Sequence, residues 1–255
     1  MSFSLRWLGC ATLLACLGGE RFCFDPFLPL PGAENPLSQA DFAGVKRFFL
    51  SHGHIDHRLG LPGLLQRGAL VYSGALPQKG LLKAGVLEEK LRLIAAGERL
   101  SFGGVELCAL RGSHVRFDAP LVLTTMLSPR MLRFRRNAAF LLRAQRHYPK
   151  GETLAFELSH EGKRLQILGS LGLGGELRPG ADCLVLPYQG RSDLPRAALP
   201  IVEALRPKAL FLDHFDDAFP PLSRRVDPEP FLLQLKKRFP EIRAILPRAR
   251  EDYWF

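Results

Sequence analysis

The sequence predicts an α/β protein arranged as a four-layer αββα sandwich, on three observations. Apolar runs of strand length recur along the whole chain, helical periodicities fall between several of them, and the residues able to do chemistry cluster directly after the runs. With 255 residues, 47% of them hydrophobic, the chain can bury one sizeable core, and one domain over 1–255 is the simplest organisation. No Ser- or Gln-rich tract or long charge block marks a linker, and the 20 prolines are dispersed, so they punctuate elements instead of dividing domains.

Taken in order, Ser4 to Leu8, Thr12 to Leu17 and Arg21 to Asp25 are apolar runs separated by turn residues, and read as an opening hairpin with a third strand. Further strands are expected at Val45 to Leu50, Leu70 to Tyr72, Val105 to Leu110, Leu154 to Ser159, Arg164 to Leu168, Cys183 to Leu186, Ala209 to Leu212 and Ile242 to Leu246. Leu194 to Leu205 spaces Leu199, Ile201, Val202 and Leu205 at helical period. Glu229 to Arg238 does the same with Phe231, Leu232 and Leu235. Ser128 followed by Pro129 starts a basic helical insertion at about 128–150, with Met131, Phe134, Ala138, Leu141 and Leu142 as its apolar stripe. The closing Tyr253-Trp254-Phe255 is read as core or subunit packing.

The first residues permit a rival reading. Arg6 followed by the apolar Trp7 to Ala15, ending in Leu13-Leu14-Ala15-Cys16, has the form of a lipoprotein signal over 1–16. Cleavage there would delete the first strand and expose a sheet edge, so residues 4 to 25 are taken as structure. No other stretch approaches the roughly 20 apolar residues of a bilayer span. The five cysteines are odd in number and lack C-x-x-C spacing. Most lie in predicted strands, where a thiol is a small hydrophobe, and the expectation is a reducing, cytoplasmic setting.

The chemistry concentrates in His52-Gly53-His54-Ile55-Asp56-His57, directly after the strand ending Phe48-Phe49-Leu50. Three of the chain's seven histidines fall within these six positions. His52 and His54, two residues apart on an extended segment, can turn both rings toward one cation, while Asp56 and His57 turn toward a neighbouring position. Neutral imidazole suits zinc and related first-row metals, and an adjacent carboxylate suits a second ion or a water.

This HxHxDH pattern after a strand resembles the signature of the metallo-β-lactamase superfamily. The resemblance extends to Trp7-Leu8-Gly9-Cys10-Ala11-Thr12 and Phe24-Asp25-Pro26, which look like the opening of the branch containing ascorbate phosphate lactonases and N-acyl phosphatidylethanolamine phospholipases. It continues through Gly112-Ser113-His114 and Leu212-Asp213-His214, and so covers residues from about 4 to 220. It implies a metallo-β-lactamase-type sandwich in which His52, His54 and His114 hold one metal and Asp56, His57 and His214 help hold a second. Two departures stand out. The branch usually has His where this chain has Cys10, and the aspartate that bridges both metals corresponds here to Ser170, in Leu168-Gly169-Ser170-Leu171-Gly172. A neutral hydroxyl relieves less repulsion between two cations than a carboxylate does, so a tight first site and a labile second one are expected, unless substrate or hydroxide supplies the charge. Zn2+ is the expected ion, with Mn2+ or Fe2+ as alternatives. Cys10, in the loop where the family has its histidine, could ligate or tune a metal as a thiolate or be a buried free thiol; Asp25 is expected around the ligands, and Asp216 or Asp217 could orient His214 or lie in a surface turn.

Charge bears on the substrate. Lys plus Arg number 35 against 25 Asp plus Glu, and Arg130, Arg133, Arg135, Arg136, Arg143, Arg146 and Lys150 crowd one segment. That segment reads as a solvated helix face, as an electropositive rim for an anionic substrate, or as a contact for nucleic acid or acidic membrane, the last not favoured. Tyr188 and Arg191, after the strand ending Leu186, could stabilise an oxyanion and hold a substrate anion, or could belong to an ordinary loop with a helix cap at Ser192 or Asp193. His147 and His160 carry no partner pattern and are expected to be exposed.

The resemblance and the motif together imply a hydrolase in which a metal-activated water, oriented by Asp56, cleaves an ester, lactone or phosphodiester bond of a small anionic substrate. A metal-binding scaffold or sensor, favoured by Ser170 at the bridging position, is the alternative. A nucleic-acid-processing nuclease, supported only by basicity, is a third.

Overall fold

The computed structural model describes residues 3–144 and 147–255. Its apolar runs become strands as expected. The first six are β1 (Ser4–Gly9), β2 (Thr12–Leu17), β3 (Glu20–Phe24), β4 (Arg47–Phe49), β5 (Leu70–Ser73) and β6 (Leu91–Leu93). They form one sheet with the last strand of the chain, in the order β14-β1-β2-β3-β4-β5-β6, β14 being Asp252–Trp254. The second sheet contains β7 (Arg99–Phe102), β8 (Val105–Arg111), β9 (Leu154–His160), β10 (Lys163–Ile167), β11 (Cys183–Pro187), β12 (Ala209–Asp213) and β13 (Arg243–Ile245), ordered β13-β12-β11-β10-β9-β8-β7.

Each sheet is half antiparallel and half parallel. In the first, β1 to β3 are antiparallel neighbours and β3 to β6 are parallel; in the second, β7 to β10 are antiparallel and β10 to β13 parallel. Between the sheets lies an aromatic core in which Phe24 and Phe49 both meet Phe156, at centroid separations of 5.2 and 5.7 Å. All three rings are buried, and each contributes about 1.5–3 kcal/mol by leaving water.

Helices close the outer faces. Leu61 and Leu64 of α1 (Leu61–Leu64) and Leu81 of α2 (Ala75–Lys83) join Phe48, Leu50 and Val71 in a cluster on the outside of the first sheet. Leu194, Ala198, Val202 and Leu205 of α6 (Leu194–Leu205), with Phe231 and Leu235 of α7 (Glu229–Arg238), pack with β11 and β12. The result is a four-layer αββα sandwich.

The basic segment departs from expectation. Instead of one helix from Ser128, there are α3 (Ala119–Met126), then α4 (Arg130–Arg133) and α5 (Arg135–Ala144) broken at Phe134, whose backbone leaves the helical region at φ −107°, ψ 35°. Of the expected stripe, Ala138 and Leu141 are buried while Leu142 is 72% exposed. Arg146 lies outside the described residues. The terminal aromatics divide: Tyr253 pairs with Leu5 across β14 and β1, Phe255 stacks on Phe3, and Trp254 is exposed. His147 is exposed, whereas His160 is half-buried with Nδ1 against the Gly104 carbonyl. Among the described residues no helix is long and apolar enough to cross a membrane.

Strand direction positions the site. Because β1, β3 and β4 run the same way, their carboxyl ends share one rim, where Cys10, Asp25 and the His52–His57 loop emerge. The carboxyl ends of β8, β10, β11 and β12 share a rim of the second sheet, and deliver His114, Ser170, Tyr188 and His214. Backbone hydrogen bonds join the rims, among them Leu154 N–H to the Ser51 carbonyl (2.8 Å) and His214 N–H to the Cys10 carbonyl (2.8 Å).

Candidate metal centre

The His52–His57 loop is pinned before its side chains are considered. Gly53 donates its N–H to the Lys150 carbonyl (2.7 Å), and a Cβ at Gly53 would lie 2.0 Å from the Pro149 carbonyl oxygen, so only glycine fits this approach. Arg58, 2% exposed, donates to the carbonyls of Gly53 (2.9 Å) and His147 (2.7 Å), with its guanidinium 4.3 Å from the Tyr148 ring centre. A buried cation thus satisfies carbonyls that the irregular loop leaves without backbone partners.

His52, His54 and His114 converge so that one donor nitrogen of each lies within 4.8 Å of the others. His52 Nε2 is 3.1 Å from His54 Nδ1, and His114 stands 4.9 and 4.8 Å from the two rings, centre to centre. His114 Nδ1 faces the Val115 carbonyl at 2.7 Å; a carbonyl only accepts, so Nδ1 carries the proton and Nε2 keeps its lone pair. Burial lowers the proton affinity of all three rings, His52 well below the usual histidine value and His54 to about 4, with neighbouring imidazoles adding to the effect. Near neutral pH these are unprotonated nitrogens facing one another, the state that a metal requires.

A second group joins Cys10, Asp56 and His214, again within 4.8 Å. His214 Nε2 is 3.3 Å from Asp56 Oδ2 and 3.6 Å from Cys10 Sγ. The sequence placed Cys10 around the ligands, and the fold sets its sulfur level with the other two donors. His57 meets the same carboxylate, its Nε2 3.7 Å from Asp56 Oδ2, while Nδ1 pairs with Asp25 Oδ2 at 3.0 Å. Burial alone would lower the His57 value, but the charges of Asp25 and Asp56 raise it to about 9. Burial likewise opposes ionisation of Asp56, and His57 and His214 overcome it, holding that carboxyl well below the usual carboxylate range. Asp25 also accepts the Ser51 N–H (2.7 Å), which locks the start of the loop to the end of β3.

The remaining expected residues have varied placements. Ser170 reaches the cleft, but its Oγ accepts the Val115 N–H at 3.1 Å. Tyr188 is buried against Phe231 of α7 and does not line the cleft: the residue after β11 turns into the helix layer, and Gln189 and Gly190 face the site instead. Arg191 pairs with Asp118 (3.4 Å) and donates to the Arg116 carbonyl (3.0 Å), which places it on adjoining grooves. Asp216 supports Cys10 directly, accepting its N–H at 2.9 Å, and Asp217 pairs with Arg130 and Ser223.

Sequence reasoning passed over two residues. Asp213 is buried with Oδ1 unpartnered, and burial beside Asp25 pushes its carboxyl well above the normal range. Its place beside His214 was the available signal. Lys150 was read only as part of the basic run, yet its charge is felt at both His54 and His114, in each case lowering their proton affinity after the larger effect of burial.

The cleft beside these groups is small, about 60 Å³, and includes His54, Asp56, His57, His114 and His214. The imidazoles of His52, His54, His114 and His214, the Asp56 carboxylate and the Cys10 thiol form a donor set suited to divalent transition metals.

No protein-family model matches this chain, and a search of curated proteins found no match. Solved structures do match it in shape. Igni18, a metallo hydrolase from the archaeon Ignicoccus hospitalis, aligns with a TM-score of 0.69 at 17% identity, over 100% of this chain and 99% of that one. The metallo-β-lactamase fold protein YhfI from Bacillus subtilis aligns at 0.66 with 11% identity over 100% and 99%. An isothiocyanate hydrolase from Delia radicum gut bacteria aligns at 0.63 with 15% identity, also over 100% and 99%. The fold is therefore of the metallo-β-lactamase type, and at these identities the likeness is one of fold.

Proposed function

We propose that the protein is a metal-dependent hydrolase that cleaves an ester, lactone or phosphodiester bond in an anionic substrate. The observation that carries this reading is the convergence of His52, His54 and His114, from both sheets, into one set of neutral nitrogens beside a second set of donors. A divalent ion held there would supply Lewis acidity, acidifying a water and polarising a carbonyl or phosphoryl oxygen. The ion of choice is Zn2+, with Mn2+ or Fe2+ as alternatives.

The chain's own groups supply the rest. Asp56, held ionised and shared between His57 and His214, would orient the water, in keeping with its contacts to both rings. Asp25 fixes the His57 ring through Nδ1. Lys150 supplies positive potential near His54 and His114, in keeping with an anion. The cleft shares Phe117 and Phe219 with a larger, mainly apolar groove of about 510 Å³ between α3 and residues 219–226, which gives an apolar arm of the substrate a place to lie.

The test is a screen of metal-loaded protein on generic phosphodiester, lactone and thioester substrates, with His52→Ala and Asp56→Ala alongside. Turnover in the wild type and its loss in both variants, with the fold retained, is expected. Full activity in either variant would refute the assignment. The engagement of Ser170 with the Val115 amide favours a second reading, a metal-binding scaffold or sensor, and uniform inactivity of the loaded protein would select it.

A further inference from the structure

We propose that Cys10 is a direct thiolate ligand of the second metal position, completing a Cys10–Asp56–His214 set that makes this position selective for zinc-like, thiophilic ions. The inference rests on the metal-centre reading above, and goes beyond it in assigning the donor and the class of ion.

Geometry carries it. Cys10 arrives from the β1–β2 turn, Asp56 from the loop after β4 and His214 from the end of β12, and the fold brings one donor atom of each within 4.8 Å of the others. Cys10 Sγ is fully buried and lies 3.6 Å from His214 Nε2, which in turn lies 3.3 Å from Asp56 Oδ2. Cys10 packs with Phe27 and Ala218 as a small hydrophobe does, and its Sγ in addition lies 3.6 Å from the Asp56 main-chain carbonyl and 3.6 Å from His214 Nε2, with an Asp56 carboxylate oxygen inside the same 4.8 Å cluster of donors.

The backbone is committed to that direction. Cys10 has a φ of +50°, unusual for a residue with a side chain, and its peptide groups are fixed by Asp216 Oδ1 on the N–H (2.9 Å) and by Trp7 Nε1 (2.7 Å) and the His214 N–H (2.8 Å) on the carbonyl. The two sheets therefore meet at this residue.

Charge balance points the same way. Ser170 is neutral and its Oγ is occupied by an amide, so it contributes no anion between two cations. A Cys10 thiolate together with the Asp56 carboxylate offers two negative charges, matching one divalent ion within the set. On binding, the sulfur–hydrogen bond breaks, the proton leaves to solvent and the sulfur–metal bond forms, with no change of oxidation state. A set of sulfur, nitrogen and oxygen donors selects Zn2+, Co2+ or Cd2+ over Mg2+, Ca2+ or Mn2+.

Titration of metal-free protein with Co2+ tests this without any substrate. The wild type should bind two equivalents, one of which brings a near-ultraviolet sulfur-to-cobalt charge-transfer band. Cys10→Ser should bind one equivalent, lack the band, and weaken the second by more than the roughly 10- to 100-fold that losing a mere supporting group costs. His52→Ala should keep the band while losing the other equivalent, which shows that the band belongs to a folded second position. Two equivalents bound by the wild type without the band, or a band that survives in Cys10→Ser, would overturn the proposal whatever the folding of the variants. Absence of any Co2+ binding would sink the metal-centre reading itself, and this proposal with it.

Discussion

His57 and His54 show how far neighbours can drive identical side chains apart. His57, gripped by Asp25 and Asp56, is raised to about 9, whereas half-buried His54, desolvated and facing other imidazoles, is lowered to about 4. The consequences for stability have opposite signs. A raised histidine stabilises the fold fully below its unfolded value of 6.5, and that contribution is lost as pH climbs through 9. A lowered histidine costs nothing above 6.5 and destabilises as pH falls toward 4, because the unfolded chain then binds the proton that the fold excludes. Chelator-treated protein should accordingly be most stable near pH 6.5 and melt at lower temperature on either side, with the alkaline limb worth a few kcal/mol. Asp25→Asn removes the partner that raises His57, so its alkaline limb should flatten relative to the wild type. A melting temperature that holds level from pH 6.5 to 9 in the metal-free wild type would show that the His57–Asp25 pair does not carry this charge.

At the level of elements, the loop after β4 is as much a backbone device as a set of ligands. The Cβ that Gly53→Ala would add falls 2.0 Å from the Pro149 carbonyl oxygen, so loop and 149–150 segment must separate, with loss of the 2.7 Å hydrogen bond to Lys150. The cost in stability should be about 1–3 kcal/mol. First-site metal affinity should drop by roughly 10- to 100-fold, measured by competition with a chromophoric chelator, although no ligand has been touched. Unchanged affinity would mean that the loop holds its shape without this contact. The HxHxDH run was legible because it combines rare residue types at strand spacing, and β1 to β5 and β8 to β12 were legible because buried strands read as unbroken apolar runs. β6 and β7 were not, since as edge strands β6 buries one residue and β7 only half-buries alternate ones, and neither was β14, three residues long. Helix α3 escaped for the opposite reason: APLVLTTM is apolar on every side and buries no residue, so it offers no period to detect. Cys10 and Tyr188 were placed by chain position, but only the fold decides which way a side chain at a strand end turns, toward the donors for one and toward Phe231 for the other.

The whole molecule is two seven-stranded sheets whose joint rim holds donors from both. His52, His54, Asp56 and Cys10 belong to the first sheet, His114 and His214 to the second, and few backbone hydrogen bonds otherwise cross the rim. An ion bound to His52, His54 and His114 is therefore a tie between sheets, absent from the unfolded chain, and its binding energy appears as folding energy. At free metal about 100 times the dissociation constant, the gain is about 2.7 kcal/mol per site. For a chain of this length that corresponds to roughly 5–10 °C in melting temperature. Adding Zn2+ to chelator-treated protein should produce this rise for each position filled, and His114→Ala should remove the first position's share, as should His52→Ala, because either change takes one sheet out of that tie. The two losses should not add in the double variant, since the second substitution acts on a tie already cut. Equal stabilisation by Zn2+ in wild type and His114→Ala would place the stabilising ion away from the seam, and the centre would then no longer explain why the two sheets bring their histidines to one rim.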